Sequence, residues 1–343
     1  MEEKQFIKIF INPLYSKKIN LEDINEQIYQ EVLDLSNWFC IPSYVLNNII
    51  YNDDSSNELI EGLKKQFQIS NLKNLLNKRE FIRVAEIYNK HAVDYIFLKG
   101  TAINLLDGEY TRHSRDIDIL VKREFLSKAY NLLKEIGYRY INPWVSDNVK
   151  HTSKTNHLPV LVNDDGVLIE LHHRVTNPRH YEDCPLTESM LSNPLIKEKK
   201  GVEIKISDLN HLIAHITYHA ARHHHFNMGP VFLYDIKYLR SMLNDDKKLK
   251  ILMKRLELED VHKKILHYID RENTTDEFSI YNESKLKSHQ KRNSKKFIKL
   301  ISTKSGVQEL FYIILKRFKY NEDLYQTSKY SPKFYLILLV ELK

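Results

Sequence analysis

"RHSRDIDILV", residues 112–121, is the stretch on which the fold turns. In a β-strand, side chains two apart share a face, about 6.5–7 Å apart along the chain. Asp116 and Asp118 therefore point one way, and Ile117, Ile119 and Val121 pack the other. Two like charges one pleat apart repel, and aspartate is a poor strand former. Two readings answer this. A solvent-facing edge strand of alternating polarity explains the alternation but not the repeated small carboxylate. A divalent-metal site explains both, because Mg2+ takes oxygen ligands and relieves the repulsion. On D-x-D alone, a short and common pattern, the edge strand is the more economical reading.

Two neighbouring stretches change the balance. "VDYIFLKG" ends a short apolar run at Gly100 and leads into the short helix "TAINLL". Lys99, Gly100 and Thr101 thus sit where a strand turns into a helix, and backbone N–H groups at such a turn bind phosphate oxygens. The Walker pattern G-x-x-x-x-G-K-[ST] is not present at this turn. Further on, "VLIELHHRV" places Glu170, His172 and Arg174 on one strand face, so Glu170 is a third carboxylate for a metal site.

Around these motifs the chain divides three ways. Residues 1–90 show helical apolar spacing, as in "LEDINEQIYQEVLDL" and "NLKNLLNKREFIRVAEIYNKH". Residues 91–206 carry the α/β pattern. There "REFLSKAYNLLKEIG" reads as a helix stopped by Gly137, and "NDDG" (163–166) reads as a hairpin turn between "HLPVLV" and "VLIELHHRV". Residues 207–343 return to the helical period, with Ser207 as N-cap of "DLNHLIAHITYHAARHH" and Pro230 ahead of "VFLYDIKYLRSML". The expected fold class is α+β: a small mixed β-sheet core flanked by helical N- and C-terminal segments.

Composition narrows the class further. The chain has 343 residues, 42% of them hydrophobic, which supports packed cores and argues against intrinsic disorder. Cys40 and Cys184 are isolated, which argues against a disulfide scaffold or a thiolate zinc site and fits a cytoplasmic protein. The start "MEEKQFIKIF" is not a signal peptide, and the apolar tail "FYLILLVELK" is shorter than the ~20 residues that span a bilayer. No membrane association is expected. The net charge of +7 includes a basic run at 284–299. It reads first as a solvated face and second as a nucleic-acid footprint.

The ordered set "FLKGTAINLL", "YTRHSRDIDILV", "LIELHHRV" and the helices with "AHITYHA" and "LYDIKYL" resembles the uncharacterised bacterial nucleotidyltransferase family. That family lies within the DNA polymerase β-type nucleotidyltransferase superfamily. The resemblance covers roughly residues 90–240. It departs from the common pattern in a long interval between Thr101 and Asp116, a threonine where many members have serine, and one glycine where others have two. Abortive-infection nucleotidyltransferases share the first block, and "IELHH" with the later His/Asp helices favours the former group.

The resemblance implies Asp116, Asp118 and Glu170 as catalytic ligands of Mg2+ or Mn2+. It implies Lys99, Gly100, Thr101, Arg112 and Arg115 as nucleotide contacts, and His172, His215 and Asp235 as acceptor or base contacts. The implied reaction transfers NMP from an NTP, ATP among them, to an acceptor (small molecule, protein or RNA) and releases pyrophosphate. Two alternatives stand beside it: a catalytically inactive nucleotide-binding regulatory protein, and a toxin-like enzyme that nucleotidylates RNA through the basic C-terminal region. His211, His215, His219 and His223, four apart, span about 120° of one helix face. With no acidic or cysteine partner on that face, they read as a half-buried polar stripe facing the catalytic cleft rather than as a zinc site.

Overall fold

Ile117, Ile119, Leu120 and Val121 lose all solvent contact in the folded chain. Burial of each such side chain contributes about 1.5–3 kcal/mol. Ile119 and Leu120 point to opposite faces, so both faces of this strand are covered and the strand sits inside a sheet. The computed structural model describes residues 5, 7–52, 57–106, 112–141, 156–176, 185–224 and 229–270. The described residues, Tyr140 and Ile141 apart, belong to one compact unit. The basic run at 284–299, the apolar tail and Cys184 lie outside the described residues.

A two-stranded parallel pair, β1 (Ile19–Asn20) and β2 (Ile49–Ile50), belongs to the N-terminal segment. The main sheet has seven strands: β3 (Tyr95–Phe97), β4 (Asp116–Val121), β5 (Arg139–Tyr140), β6 (Leu161–Val162), β7 (Leu168–His172), β8 (Leu195–Lys199) and β9 (Val202–Ile206). Their order is β5-β6-β7-β4-β3-β9-β8. The sheet is mixed, as expected: β4 runs antiparallel to β3 and parallel to β7, and β3 runs parallel to β9. The edge-strand reading of "DIDILV" is thus overturned, because β4 is hydrogen-bonded on both sides.

Local signals placed most connections. Gly166 takes φ 74° in the turn before β7, where the Asn163 carbonyl accepts the Gly166 N–H and its side chain accepts the Val167 N–H. The β8–β9 hairpin was not anticipated. Its signals were the alternation in "LIKEK" and "VEIKI" and the Lys200-Gly201 turn, in which both residues take positive φ (53° and 77°).

Helices cover the sheet. The N-terminal segment contributes α1 (Tyr29–Trp38), α2 (Pro42–Asn48) and α3 (Glu58–Lys90). The Asn57 side chain caps α3 by accepting from the Leu59 and Ile60 N–H groups. At 33 residues α3 is about 50 Å long. It lays Phe81, Val84, Ala85 and Tyr88 on the core. The α/β region contributes α4 (Lys99–Ile103), α5 (Leu126–Glu135) and α6 (Pro185–Ser192). The chain leaves α5 through Gly137 at φ 96°, the left-handed stop that the sequence signals.

After the sheet come α7 (Leu209–Tyr218), α8 (Val231–Ser241), α9 (Lys247–Arg255) and α10 (Glu259–Asp270). The cap of α7 differs from expectation. Asp208, not Ser207, accepts the Asn210 and His211 N–H groups, while the Ser207 hydroxyl donates to the Asp208 carbonyl. A carboxylate at a helix N-terminus gains from the dipole as well as the hydrogen bonds, which a hydroxyl does not. Among the described residues, no helix is long and apolar enough to cross a membrane.

His113 links the N-terminal helices to the sheet. Its Nε2 pairs with Ser43 Oγ at 3.2 Å, and its ring meets Phe67 edge-on at 5.9 Å. Burial, aided by the Arg112 charge, pushes this imidazole down from 6.5 to about 4. The folded state therefore holds it neutral. Its stabilising contribution is complete above pH 6.5 and is lost as the pH falls toward 4, a loss of about 3 kcal/mol. Urea denaturation of His113→Asn should show a correspondingly smaller drop in stability between about pH 7 and pH 4 than wild type shows.

Candidate active site

The parallel register of β4 and β7 pairs Asp116 with Leu168, Asp118 with Glu170 and Leu120 with His172. Residues level with each other on adjacent strands point to the same face, so Asp118 and Glu170 become neighbours although they are distant in sequence. Oxygens of Asp118 and Glu170 and a ring nitrogen of His172 all lie within 4.8 Å of one another. Asp118 and His172 are buried and Glu170 is partly so.

Two basic groups answer the carboxylates. The Lys99 ammonium donates to Asp118 Oδ1 at 2.7 Å. His172 Nε2 lies 2.9 Å from the same oxygen and 3.3 Å from Glu170 Oε2. Lys99 reaches inward from a backbone with φ 46°, a left-handed conformation that costs a non-glycine residue about 1 kcal/mol or more. The strain falls where strand β3 breaks into α4, the turn read from the sequence as a phosphate cradle.

The charges do not balance. Three carboxylates face Lys99 and His172, and the Arg112 charge that also reaches Asp116 is paired with Asp235. Burial opposes ionisation of Asp118, yet Lys99 and His172 hold its carboxyl well below the usual range. Glu170 is held low in the same way, with His172 and then Lys99 outweighing burial. Asp116 bears the excess: burial first, then the charges of Asp118 and Glu170, push its carboxyl up to about 7. Burial works against the charged forms of Lys99 and His172 too, and the surrounding carboxylates raise both. Hard oxygen donors with unneutralised negative charge fit a bound Mg2+ or Mn2+.

Arg112, His113 and Ser114 run into β4 held by asparagines. Asn104 accepts the Arg112 N–H at 3.0 Å and donates to its carbonyl at 2.8 Å. Asn74 accepts the Ser114 N–H at 3.3 Å, and Asn77 donates to the Ser114 carbonyl at 3.2 Å. Lying ahead of the strand ladder, these backbone groups need side-chain partners. The Arg112 guanidinium donates to Asp235 Oδ2 at 3.1 Å and to Ser114 Oγ at 3.2 Å. Asp235 therefore enters the site region as the partner of Arg112, from helix α8.

Gly100 is needed for a close approach. A Cβ there would lie 1.8 Å from Ser114 Oγ and 2.5 Å from an Arg112 guanidinium nitrogen. Thr101, the next residue, is buried. Arg115 is not gathered with the others. It stacks on Trp38 with its guanidinium carbon 4.7 Å from the ring centroid, and donates to the Trp38 carbonyl at 2.6 Å, at the C-terminal end of α1. A cation there gains from the helix dipole.

His215 is buried, and its Nδ1 makes no hydrogen bond among the described residues. Burial, followed by the Lys99 and His172 charges, holds it well below its ordinary value, which places it in the field of the same cluster. His157 was missed by sequence reasoning. Its ring lies 5.0 Å from that of His172. The signal was present, because His157 and His172 lie on the two arms of the hairpin that turns at Asn163–Gly166, and an antiparallel bridge sets them opposite each other.

Known proteins resemble this chain in sequence and in structure. The family described as uncharacterised nucleotidyltransferase matches residues 28–271. A lincosamide resistance protein of Staphylococcus haemolyticus is 26% identical over 102 residues, so that the match spans 28% of this chain and 63% of that protein. Among solved structures, the antibiotic-resistance factor ANT(2'')-Ia aligns over 56% of this chain and 98% of its own at 13% identity and a TM-score of 0.39. An antigenic nucleotidyltransferase-like protein from Paracoccidioides brasiliensis aligns over 56% and 91% at 15% identity and a TM-score of 0.38.

The glycine contact is directly testable. Gly100→Ala should lower stability by about 1–3 kcal/mol through overpacking. Adding Ser114→Ala, which removes the nearest atom, should recover part of that loss in a double-mutant cycle read by urea denaturation.

Proposed function

The chain belongs to the uncharacterised nucleotidyltransferase family, and from that premise we propose that it transfers NMP from an NTP to an acceptor hydroxyl, releasing pyrophosphate, with Mg2+ as the working ion. The observation that supports this most is the Asp118–Glu170 register, which sets two carboxylates side by side next to the Lys99-Gly100-Thr101 turn. Asp116, Asp118 and Glu170 would hold the ion. When bound, Mg2+ supplies charge neutralisation for the triphosphate and the attacking oxygen.

The protein's own groups account for the remaining steps. The acceptor oxygen forms a bond to the α-phosphorus, and the bond from that phosphorus to the bridging oxygen breaks, so that pyrophosphate leaves with the electron pair. The hydroxyl proton passes to a carboxylate of the trio, and His172, within reach of both Asp118 and Glu170, orients them. Lys99, Gly100 and Thr101 contact the triphosphate through the turn's ammonium, N–H groups and hydroxyl. Arg112 lies beside Gly100 and supplies a further cation on that side. The relative named for lincosamide resistance makes lincosamides the first acceptors to screen.

Pyrophosphate release from each NTP with Mg2+ and a hydroxyl-acceptor panel tests the reading. Asp116→Ala, Asp118→Ala and Glu170→Ala should each lower turnover by roughly two orders of magnitude or more. Wild-type rates in these variants would refute the assignment. A second outcome concerns pH. Because the Asp116 carboxyl is pushed up to about 7, it is protonated below that pH and ionised above it. Apparent Mg2+ affinity should therefore strengthen as pH rises through about 7, and Asp116→Asn should flatten that dependence.

A further inference from the structure

The helical period that arranges the histidines as one stripe fails at Tyr218. His219–His223 forms a π-helical turn, in which the His224 N–H donates to the His219 carbonyl at 3.0 Å, five residues back. Such turns recur at functional sites. The His215 and His219 rings stay in contact across the start of this turn, 6.0 Å apart, so the turn adds His224 to the end of the stripe. His211 leaves it for Asp208 and for Ser189 Oγ at 2.6 Å. His219, His223 and His224 draw together instead, because the wider turn brings residues five apart onto one side.

The three rings converge. Their centroids lie 5.0 Å (His219–His223), 4.3 Å (His219–His224) and 4.8 Å (His223–His224) apart. One ring nitrogen from each falls within 4.8 Å of the others. His219 Nε2 and His224 Nε2 are 3.2 Å apart. Two ligands at about 2.0–2.1 Å from a tetrahedral Zn2+ lie about 3.3 Å from each other. A hydrogen bond between two imidazoles would explain that one distance, but gives the third histidine no part. His219 is partly buried and His223 is exposed, so the side chain that closes the triad has room to adjust its rotamer.

We propose that His219, His223 and His224 form a Zn2+ site, with three imidazole ligands and the fourth coordination position open to water or to a donor atom of a bound molecule. Three protein ligands with one open position is the pattern of reactive rather than purely structural zinc. Nitrogen donors select Zn2+ over Mg2+, and the oxygen donors of Asp116, Asp118 and Glu170 do the reverse, so the two sites are chemically separate. Burial, with the Lys99 charge next, keeps His219 well below its ordinary value and lowers His223 to about 4. Both are thus in the neutral form that binds metal at neutral pH.

The test uses the untagged full chain and needs no turnover. Equilibrium dialysis should show one Zn2+ bound per chain. Substituted Co2+ should give the intense visible absorption of a tetrahedral site. His223→Ala and His224→Ala should each weaken binding by about tenfold or more, ~1.4 kcal/mol. Asp118→Asn with Glu170→Gln should leave it intact. Because His223 is exposed, His223→Ala remains informative even if His219→Ala fails to fold, with far-UV circular dichroism as the check. Binding unchanged in His223→Ala and His224→Ala, binding lost on altering the carboxylates, a weak octahedral Co2+ spectrum, or no stoichiometric uptake would each overturn the site. None of these readouts depends on nucleotide transfer, so failure here is distinguishable from failure of the proposed reaction.

Discussion

The parallel pairing of β4 with β7 is the constraint on which the site depends. A strand in the interior of a sheet normally excludes charge, yet this one carries two aspartates and lies level with a glutamate on its neighbour. Burying an unpaired carboxylate such as Asp118 costs several kcal/mol, and the partly buried Asp116 and Glu170 beside it add mutual repulsion. Lys99 and His172 offset part of that cost, and Asp116 shows the remainder as a raised carboxyl.

The strand alone cannot hold this cluster, and the segments around it are fitted to it. Arg112 and Ser114 lie close over Gly100, where no side chain fits, and three asparagines satisfy the backbone groups of these two residues. Two of these asparagines, Asn74 and Asn77, come from the long N-terminal helix α3. Arg112 then joins Asp235 of α8, so the helices after the sheet are tied to the same arm. Helical segments on both sides of the α/β region thus meet at one short stretch of sequence.

Features that depend on near neighbours in the chain were legible beforehand. The alternation of "DIDILV", the glycine stop at Gly137, the turn at Asn163–Gly166 and the mixed-sheet class follow from periods and turn chemistry a few residues long. The order Lys99-Gly100-Thr101, Asp116/Asp118, Glu170 was legible because each motif is local even though the site is not. Misreadings fell where a local rule had a rival. Asp208 outcompeted Ser207 as the cap, and the β8–β9 hairpin carried its signal in charged residues, which obscures hydrophobic alternation.

By itself, the sequence determined which residues are candidates for the chemistry and which elements hold them, because helix, strand and turn preferences act over a few residues. Only the tertiary structure decided that β4 lies inside the sheet, that Glu170 stands level with Asp118, and that Arg115 turns away to Trp38. It also decided that a π-turn draws His219, His223 and His224 together. The reason in each case is register. Pairing a strand with one neighbour rather than another, or adding one residue to a helical turn, redirects every side chain that follows, and that choice is made by contacts between residues far apart in the chain.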